Sequence, residues 1–588
     1  MCWKRVQHKL VDAWDAVQVE LHGQYSLERL KAFWEYSQSS SLVRVFVVLL
    51  LTPIPCLIAV GISDSIPLQP PELGIGHTQG YWVRGMFTAF IYSYAAIDQI
   101  QYYVPQLQVP LRERIAVSLP GALFSNGVAY LFSRAIGFPL PFALTLSSVP
   151  WSFAFFSSVW ILRGQFLRQN PDVLRDFLGY LLVCACQLSM VVLYPLFYSA
   201  FSRLSPSGQT KFVLLLPVMK LFEKNLIGRF LRDRDDAKPE VVIFNVEIFN
   251  ALFVSCCMQS SSSFSTNLVI MGIDFLQACV NLRDLSVRLA EANELGKKMQ
   301  MKKSELVETA MLVLSDFPAI TQHSSFHNLL RLRDKAGVAP NQIAPLTFSK
   351  WVGSRHKSHR QPQQASATEM EDVAPGPRAG NVVQPNAVCT TVLPLQRETR
   401  DSIQDPNTQD ACSEATPPLQ DPLDNDDNNS RSKSIAGVLT SKERLLFVQK
   451  TLQVLYLTEF LLLIEFTEVL IPVVYAVYLV ALFNMPNRVY YPQLCDIDSE
   501  ELRVIVVNVV IYAAMELFSF LVLNLVLKRA IGVSAIHQLA FVLEKHAHMV
   551  QSKLILWVVF MLQSTLAHLG TVVCDVGLSN SVWVKSVE

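Results

Sequence analysis

Long apolar runs separated by short polar turns set the pattern of this chain. A helix rises about 1.5 Å per residue, so roughly 20 apolar residues cross a bilayer. Runs of that kind occur at Leu42–Ile62, Gly85–Val104, Ile115–Ser133, Phe142–Leu162 and Phe177–Phe201. Val241–Met258 and Phe264–Leu282 form a further pair, joined by the polar turn Gln259–Ser263. Leu452–Phe483, Val504–Leu527 and Leu554–Val573 follow. Phe212–Leu231 is a weaker run, because Lys220, Glu223 and Lys224 interrupt it. The pattern predicts an all-α fold, a polytopic membrane helix bundle of about 10–11 transmembrane helices.

The remaining segments divide the chain. Residues 1–41 read as an amphipathic cytoplasmic entry, with Trp3, Val6, Leu10, Trp14 and Val17 at helical spacing and Lys4, Arg5 and Lys9 between them. Such a stripe suits either an anionic membrane surface or the flank of the bundle. Residues 42–282 form a block of about eight helices. Residues 283–353 read as a cytoplasmic helical segment. Residues 354–434, rich in Pro, Gln, Asn, Asp and Ser, lack the apolar surface to fold and are expected to be a disordered linker. Residues 435–574 form a block of about three helices, with an amphipathic stretch at Ile531–Met549, and residues 575–588 form a tail. Pro53 and Pro55 predict a kink in the first run.

Composition supports the membrane class. Of 588 residues, 51% are hydrophobic and 17% charged, against about 25% charged in soluble domains. Mean hydropathy is +0.31 despite the polar linker. Lys+Arg and Asp+Glu balance at 49 each, which gives no footprint for nucleic acid. The first apolar run starts near Leu42, which predicts a permanent anchor rather than a cleaved signal.

Lys/Arg bias in the short loops sets the orientation. With the N-terminus inside, the inner loops hold Arg112, Arg114, Arg163, Arg168, Arg175, Arg229, Arg232, Arg234, Lys238, Arg283, Arg288, Lys528, Arg529 and Lys545. The outer loops hold Arg84, Arg134, Arg203, Lys211, Arg488 and Arg503. This alternation requires that Phe212–Leu231 cross, and it leaves the linker cytoplasmic. Asn428 in Asn428-Asn429-Ser430 should then escape glycosylation in a secretory-pathway membrane. Which membrane, plasma membrane or endomembrane, is open. The lipid bilayer is the expected partner, with cytoplasmic proteins recruited through residues 283–450 and no nucleic acid.

Candidate chemistry lies at membrane depth. A charge there costs about 2.5–3.5 kcal/mol on insertion scales, so each needs a reason. Glu247 and Asn250 share one face of the first run of the hairpin, and Asn267, Asp274, Gln277 and Asn281 form a stripe on the second. With Asp98, Lys220, Glu465, Glu468 and Glu516 they form a candidate ion or proton pathway. A carboxylate in low dielectric keeps its proton to higher pH, which suits a proton- or cation-coupled carrier. Pro472 near Glu465 and Glu468 adds carbonyls for a cation. The plainer alternative is interhelical bonding, worth about 0.6 kcal/mol per contact, in a membrane scaffold or receptor-like protein. On the carrier reading, Glu247→Gln and Asp274→Asn should preserve folding and abolish pH-dependent flux.

Enzyme signals are weak. No Walker loop, dinucleotide glycine motif or His-Glu-x-x-His pair occurs, so neither catalytic residues nor a cofactor or metal-ligand set is expected. His568 reads as a packing residue more readily than as a catalytic one. The 11 cysteines form no Cys-x-x-Cys pair. Cys495 and Cys574 fall on the same outer side, where they are candidates for a disulfide.

Several segments carry a resemblance. They are Leu215-Leu216-Pro217-Val218-Met219-Lys220, Lys238-Pro239-Glu240, Val241-Val242-Ile243-Phe244-Asn245-Val246-Glu247, Leu68-Gln69-Pro70-Pro71, Gly137-Phe138-Pro139 and Gln538-Leu539-Ala540-Phe541-Val542-Leu543-Glu544. With the last span they resemble a large family of functionally uncharacterised multi-pass transmembrane proteins from oomycetes. The resemblance implies a polytopic membrane protein and supplies no catalytic or ligand residues.

Overall fold

The computed structural model describes residues 18–231, 234–260, 264–298, 305–316, 441–531 and 534–569. The linker 354–434 with Asn428, the stripe Trp3–Val17, Cys574 and the tail lie outside them. The described residues are helical, without a strand.

A short helix, α1 (Leu27–Ser39), opens the fold, capped by Ser26, whose Oγ accepts from the Arg29 amide at 3.0 Å. The first apolar run is two helices, α2 (Leu42–Leu51) and α3 (Ile54–Ser65), broken at Pro53 as the sequence predicts. Then come α4 (Gln79–Tyr103), α5 (Leu111–Ile136), α6 (Ala143–Gln169) and α7 (Pro171–Ser202). A turn, α8 (Pro206–Phe212), leads to α9 (Leu216–Phe230), and the hairpin is α10 (Lys238–Ser260) and α11 (Phe264–Lys298). A shorter α12 (Leu306–Asp316) follows. The second block is α13 (Ser441–Phe483), a turn α14 (Pro492–Cys495), α15 (Ser499–Ile531), α16 (Ala535–Lys545) and α17 (Ala547–Gln563).

Polar contacts mark two ends of the bundle. At one end Arg44 pairs with Glu544, Arg163 with Glu113 at 2.7 Å, and Lys298 with Glu443 at 2.7 Å. At the other, Asn487 Nδ2 donates to the Asp64 and Ile66 carbonyls at 2.6 and 2.7 Å, and Gln493 Nε2 to Thr565 Oγ1 at 2.7 Å.

The burial pattern is that of a soluble protein turned inside out. In the most apolar 18-residue stretches of Asp235–Cys256 and Glu443–Phe483, 94% and 83% of the residues are buried, so α10 and α13 form the centre. In the corresponding stretch of Ala143–Gln169 only 11% of the residues are buried. Ile161, Val43 and Phe518 are 80%, 73% and 70% exposed, while Glu240, Glu247 and Lys553 are 0% exposed. Water would not tolerate so extensive an apolar exterior.

Among the described residues 7 helical runs are long and apolar enough to cross a membrane: Leu42–Ser65, Leu111–Ile136, Ala143–Gln169, Pro171–Tyr194, Asp235–Cys256, Glu443–Phe483 and Ser499–Ile531. Four expected runs are not among them. Arg84, Asp98 and several glutamines dilute α4, and the Asn267/Asp274/Gln277/Asn281 stripe dilutes α11. Phe212–Leu231 is divided by a 3-10 turn at Val213–Leu215. In Leu554–Val573 the helix α17 ends at Gln563, and the rest of the described part is a turn with a 3-10 segment at Ala567–Leu569. The expected boundary at Leu282 is no helix end, since α11 continues to Lys298.

α1 packs on the flank of the bundle, while the Trp3–Val17 stripe lies outside the described residues. Phe33 and Tyr36 lay their rings against Phe541 of α16, centroids 5.8 and 5.6 Å apart.

Candidate functional site

The centre of the bundle is ionic. On α9, Lys220, Glu223 and Lys224 fall at i, i+3 and i+4 and are all buried. Lys220 Nζ lies 2.7 Å from Glu247 of α10 and 3.2 Å from Glu468 of α13. Lys224 Nζ lies 2.6 Å from Glu247 and 2.9 Å from Glu20, in the 3-10 turn Val19–Leu21. Glu247 therefore takes both ammonium groups. The expectation that Glu247→Gln would spare the fold is corrected on that ground, because the amide would leave two buried cations short of charge. Glu223 instead accepts from Ser189 Oγ at 3.2 Å.

The hairpin stripe meets Lys220 from the other side. Asn250, Asp274 and Gln277 line a cavity of about 20 Å³ together with Lys220, room for about one water molecule. Asp274 Oδ2 accepts from Tyr512 at 2.9 Å, and Asn250 Oδ1 is buried without a partner. The side chain of Asn267 lies outside the described residues.

Glu468 joins the Lys220 cluster to a second group. Glu465 and Glu468 at i, i+3 on α13 face Glu516 on α15, and one carboxylate oxygen from each lies within 4.8 Å of the others. All are buried, and Oε2 of Glu465 has no hydrogen-bond partner. Of the three, only Glu468 touches a lysine. Oxygen donors at this spacing suit a hard cation or a shared proton. The sequence patterns predicted no metal-ligand set; the helix packing brings together one that could hold an ion.

Asp98 stands apart. Arg114 Nη1 holds its Oδ1 at 2.5 Å, and among the described residues Asp98 makes no ion pair with the Lys220 cluster. Cys495 is a free thiol, and its proposed partner Cys574 lies outside the described residues. The His568 ring nitrogen lies 2.7 Å from the Gln69 carbonyl oxygen, with aromatic rings around it.

Two buried ionic clusters escaped the sequence reading. Arg29 of α1 reaches Glu240 at 2.5 Å and Glu459 at 2.7 Å, and Nη1 donates to the Asp236 carbonyl at 2.8 Å. Tyr25 donates to Glu459, and Gln538 Nε2 to Tyr25 at 2.7 Å. At the far end Arg84 lies 2.5 Å from Asp64, and Tyr491 donates to Asp64 at 2.6 Å. Arg84 lies just before an apolar run and Arg29 in the entry segment, where the sequence suggests solvent.

The Arg29 cluster also holds His546. Arg29 Nη1 lies 3.2 Å from His546 Nε2 and donates to it. Glu240 lies 3.3 Å from the same nitrogen and would favour the imidazolium. Burial outweighs Glu240, and with Arg29 and Lys545 it holds His546 below its usual range despite Glu240 and Asp236. An unfolded His takes its proton near about pH 6.5. Stability from the neutral ring is therefore complete above about pH 6.5 and falls as acid is added below it. Thermal melts between pH 8 and 5 should show that loss in the wild type, and His546→Gln should flatten it. An unchanged slope in the variant would assign the loss to another group.

No protein-family model, curated protein or solved structure matches this chain.

Proposed function

We propose that the chain is a multi-pass integral membrane protein of about eleven crossings that couples transport to protons or a cation at Glu465, Glu468 and Glu516. The observation that carries this reading is the triad itself: three buried carboxylates with oxygens within 4.8 Å. Three negative charges so placed repel strongly, and one lysine offsets one of them. The remainder is neutralised by bound protons or by a cation. A site that must be filled to be stable, and whose filling changes local charge, is the element a coupled carrier needs.

The proposed crossings include the weaker runs, two of which pair antiparallel with the central helices. Pro206–Phe230 returns the chain antiparallel to α10, so that Lys220 and Lys224 of α9 both meet Glu247. α11 runs antiparallel to α13: Glu291 meets Lys450 at 2.6 Å and Lys298 meets Glu443 at 2.7 Å. The end that holds Arg44, Arg163, Arg234 and Lys298 is the cytoplasmic one by charge bias. The resemblance to multi-pass oomycete proteins agrees with this topology and adds no cargo.

The test is flux in vesicles containing the full chain. Wild-type protein should dissipate an imposed proton or monovalent- or divalent-cation gradient. Glu465→Gln/Glu516→Gln should reduce that flux at least about tenfold, a barrier change of about 1.4 kcal/mol. The double variant should fold as well as the wild type or better, because it removes charge from a dry site. Equal flux in the two proteins, or none in the wild type for any ion tried, would overturn the carrier reading.

A further inference from the structure

A second cavity, of about 190 Å³, lies away from the acidic triad, among α4, α5, α6, α7 and α17. Its wall is mostly aromatic and aliphatic, including Trp82, Tyr92, Trp151 and Trp557. Yet several of its residues keep polar hydrogens without partners. Nε1 of Trp82 and Trp557, the Tyr92 hydroxyl, Nε2 of Gln99 and Nη1 of Arg84 are all buried and unbonded. Buried donors are ordinarily satisfied, and each one left over costs stability. These atoms lie just beneath the cavity wall, each with less than 1 Å² of accessible surface, so an acceptor in the cavity would meet them after small side-chain rotations.

Charge identifies the acceptor further. Lys553 of α17 is 0% exposed and donates to Gln99 Oε1 at 2.7 Å. The other buried lysines each meet a carboxylate: Lys220 and Lys224 meet Glu247, and Lys238 meets Asp235. Among the described residues Lys553 has no carboxylate within 4.0 Å. Gln99 stands between this uncompensated amine and the cavity, its oxygen taken by Lys553 and its amide nitrogen free to donate. An uncharged alcohol would satisfy the donors and leave the amine alone. A carboxylate would satisfy both. The bounding helices α5 and α6 turn apolar side chains outward, among them Leu131 and Ile161, so a molecule dissolved in lipid has a route of approach.

We infer that this cavity binds a long-chain carboxylate, its head at Gln99 and Tyr92 with Lys553 as the counter-charge, and its apolar body among the tryptophans. The inference does not depend on proton or cation coupling at the triad.

The experiment uses the full chain in detergent or nanodiscs and a conjugated polyene fatty acid as probe, read by energy transfer from the wall tryptophans. The acid should bind saturably, and its methyl ester at least about tenfold more weakly. Lys553→Met should weaken the acid by about the same factor and leave the ester unchanged. Ser147→Phe, which fills the cavity from α6 without touching a buried charge, should abolish both signals in a protein that elutes and melts like the wild type. Equal binding of acid and ester, full acid affinity in Lys553→Met, or transfer that rises without saturation as in empty nanodiscs would each overturn the assignment.

Discussion

Glu247→Ala is expected to leave little folded protein. Its side chain is the common partner of Lys220 at 2.7 Å and Lys224 at 2.6 Å, and it is 0% exposed. Removing one partner of a buried pair costs about 3–5 kcal/mol, since the other charge stays buried. That is a large part of a typical total of about 5–15 kcal/mol. Here two cations lose their shared anion and keep only Glu468 at 3.2 Å and Glu20 at 2.9 Å. Glu247→Gln keeps the volume but not the charge and should be destabilising in the same direction. Adding Lys220→Met to Glu247→Gln leaves Lys224 with Glu20 and should recover part of the loss. Size-exclusion profiles and thermal melts of the detergent-solubilised chain measure each step. A Glu247→Ala protein that melts within about 2 °C of the wild type, less than about 1 kcal/mol, would show that the lysines find other compensation.

Arg29→Met should be comparably severe, and it should also change the pH dependence of stability. Arg29 ties α1 to Glu240 of α10 and Glu459 of α13, both buried. Without it two carboxylates remain in a dry site, at a cost of about 3–5 kcal/mol. Arg29→Lys should rescue little, because one ammonium cannot reach both carboxylates, the Asp236 carbonyl and His546 together. The change comes from His546. In the wild type burial and Arg29 hold the ring neutral, so acid destabilises. In Arg29→Met the guanidinium is gone and Glu240, 3.3 Å away, favours the imidazolium, while burial still opposes it. The folded ring then resists its proton less, so less stability is lost as pH falls. Between pH 7.5 and 5.5 the melting curve should shift downward less in the variant than in the wild type. An equal shift in both would remove Arg29 from the account of His546.

The helix type and most of the apolar runs were legible in the sequence, because a 20-residue apolar stretch has few other uses. The break at Pro53 was legible for the same local reason: a proline cannot continue the backbone ladder. Boundaries were less so. α11 and α13 extend beyond their apolar runs, since helix propensity and packing do not stop where hydropathy does. The weak run Phe212–Leu231 looked doubtful for its charges, yet those charges are what α9 contributes to the centre.

Among the candidate site residues, the sequence by itself determined that carboxylates and a lysine lie within apolar helices and need compensation. It could not determine which compensates which. Glu247 and Asp274 read as members of one pathway, but Glu247 went to two lysines and Asp274 to Tyr512. Glu465 and Glu468 are neighbours by spacing alone, whereas Glu516 reaches them only because α13 and α15 pack face to face. Arg29 and Glu240 are 211 positions apart and met only in three dimensions. Periodicity is a property of one helix and is written locally. The partner of a buried charge, or the aromatic wall around an unsatisfied donor, is a property of several helices, and only their tertiary packing decides it.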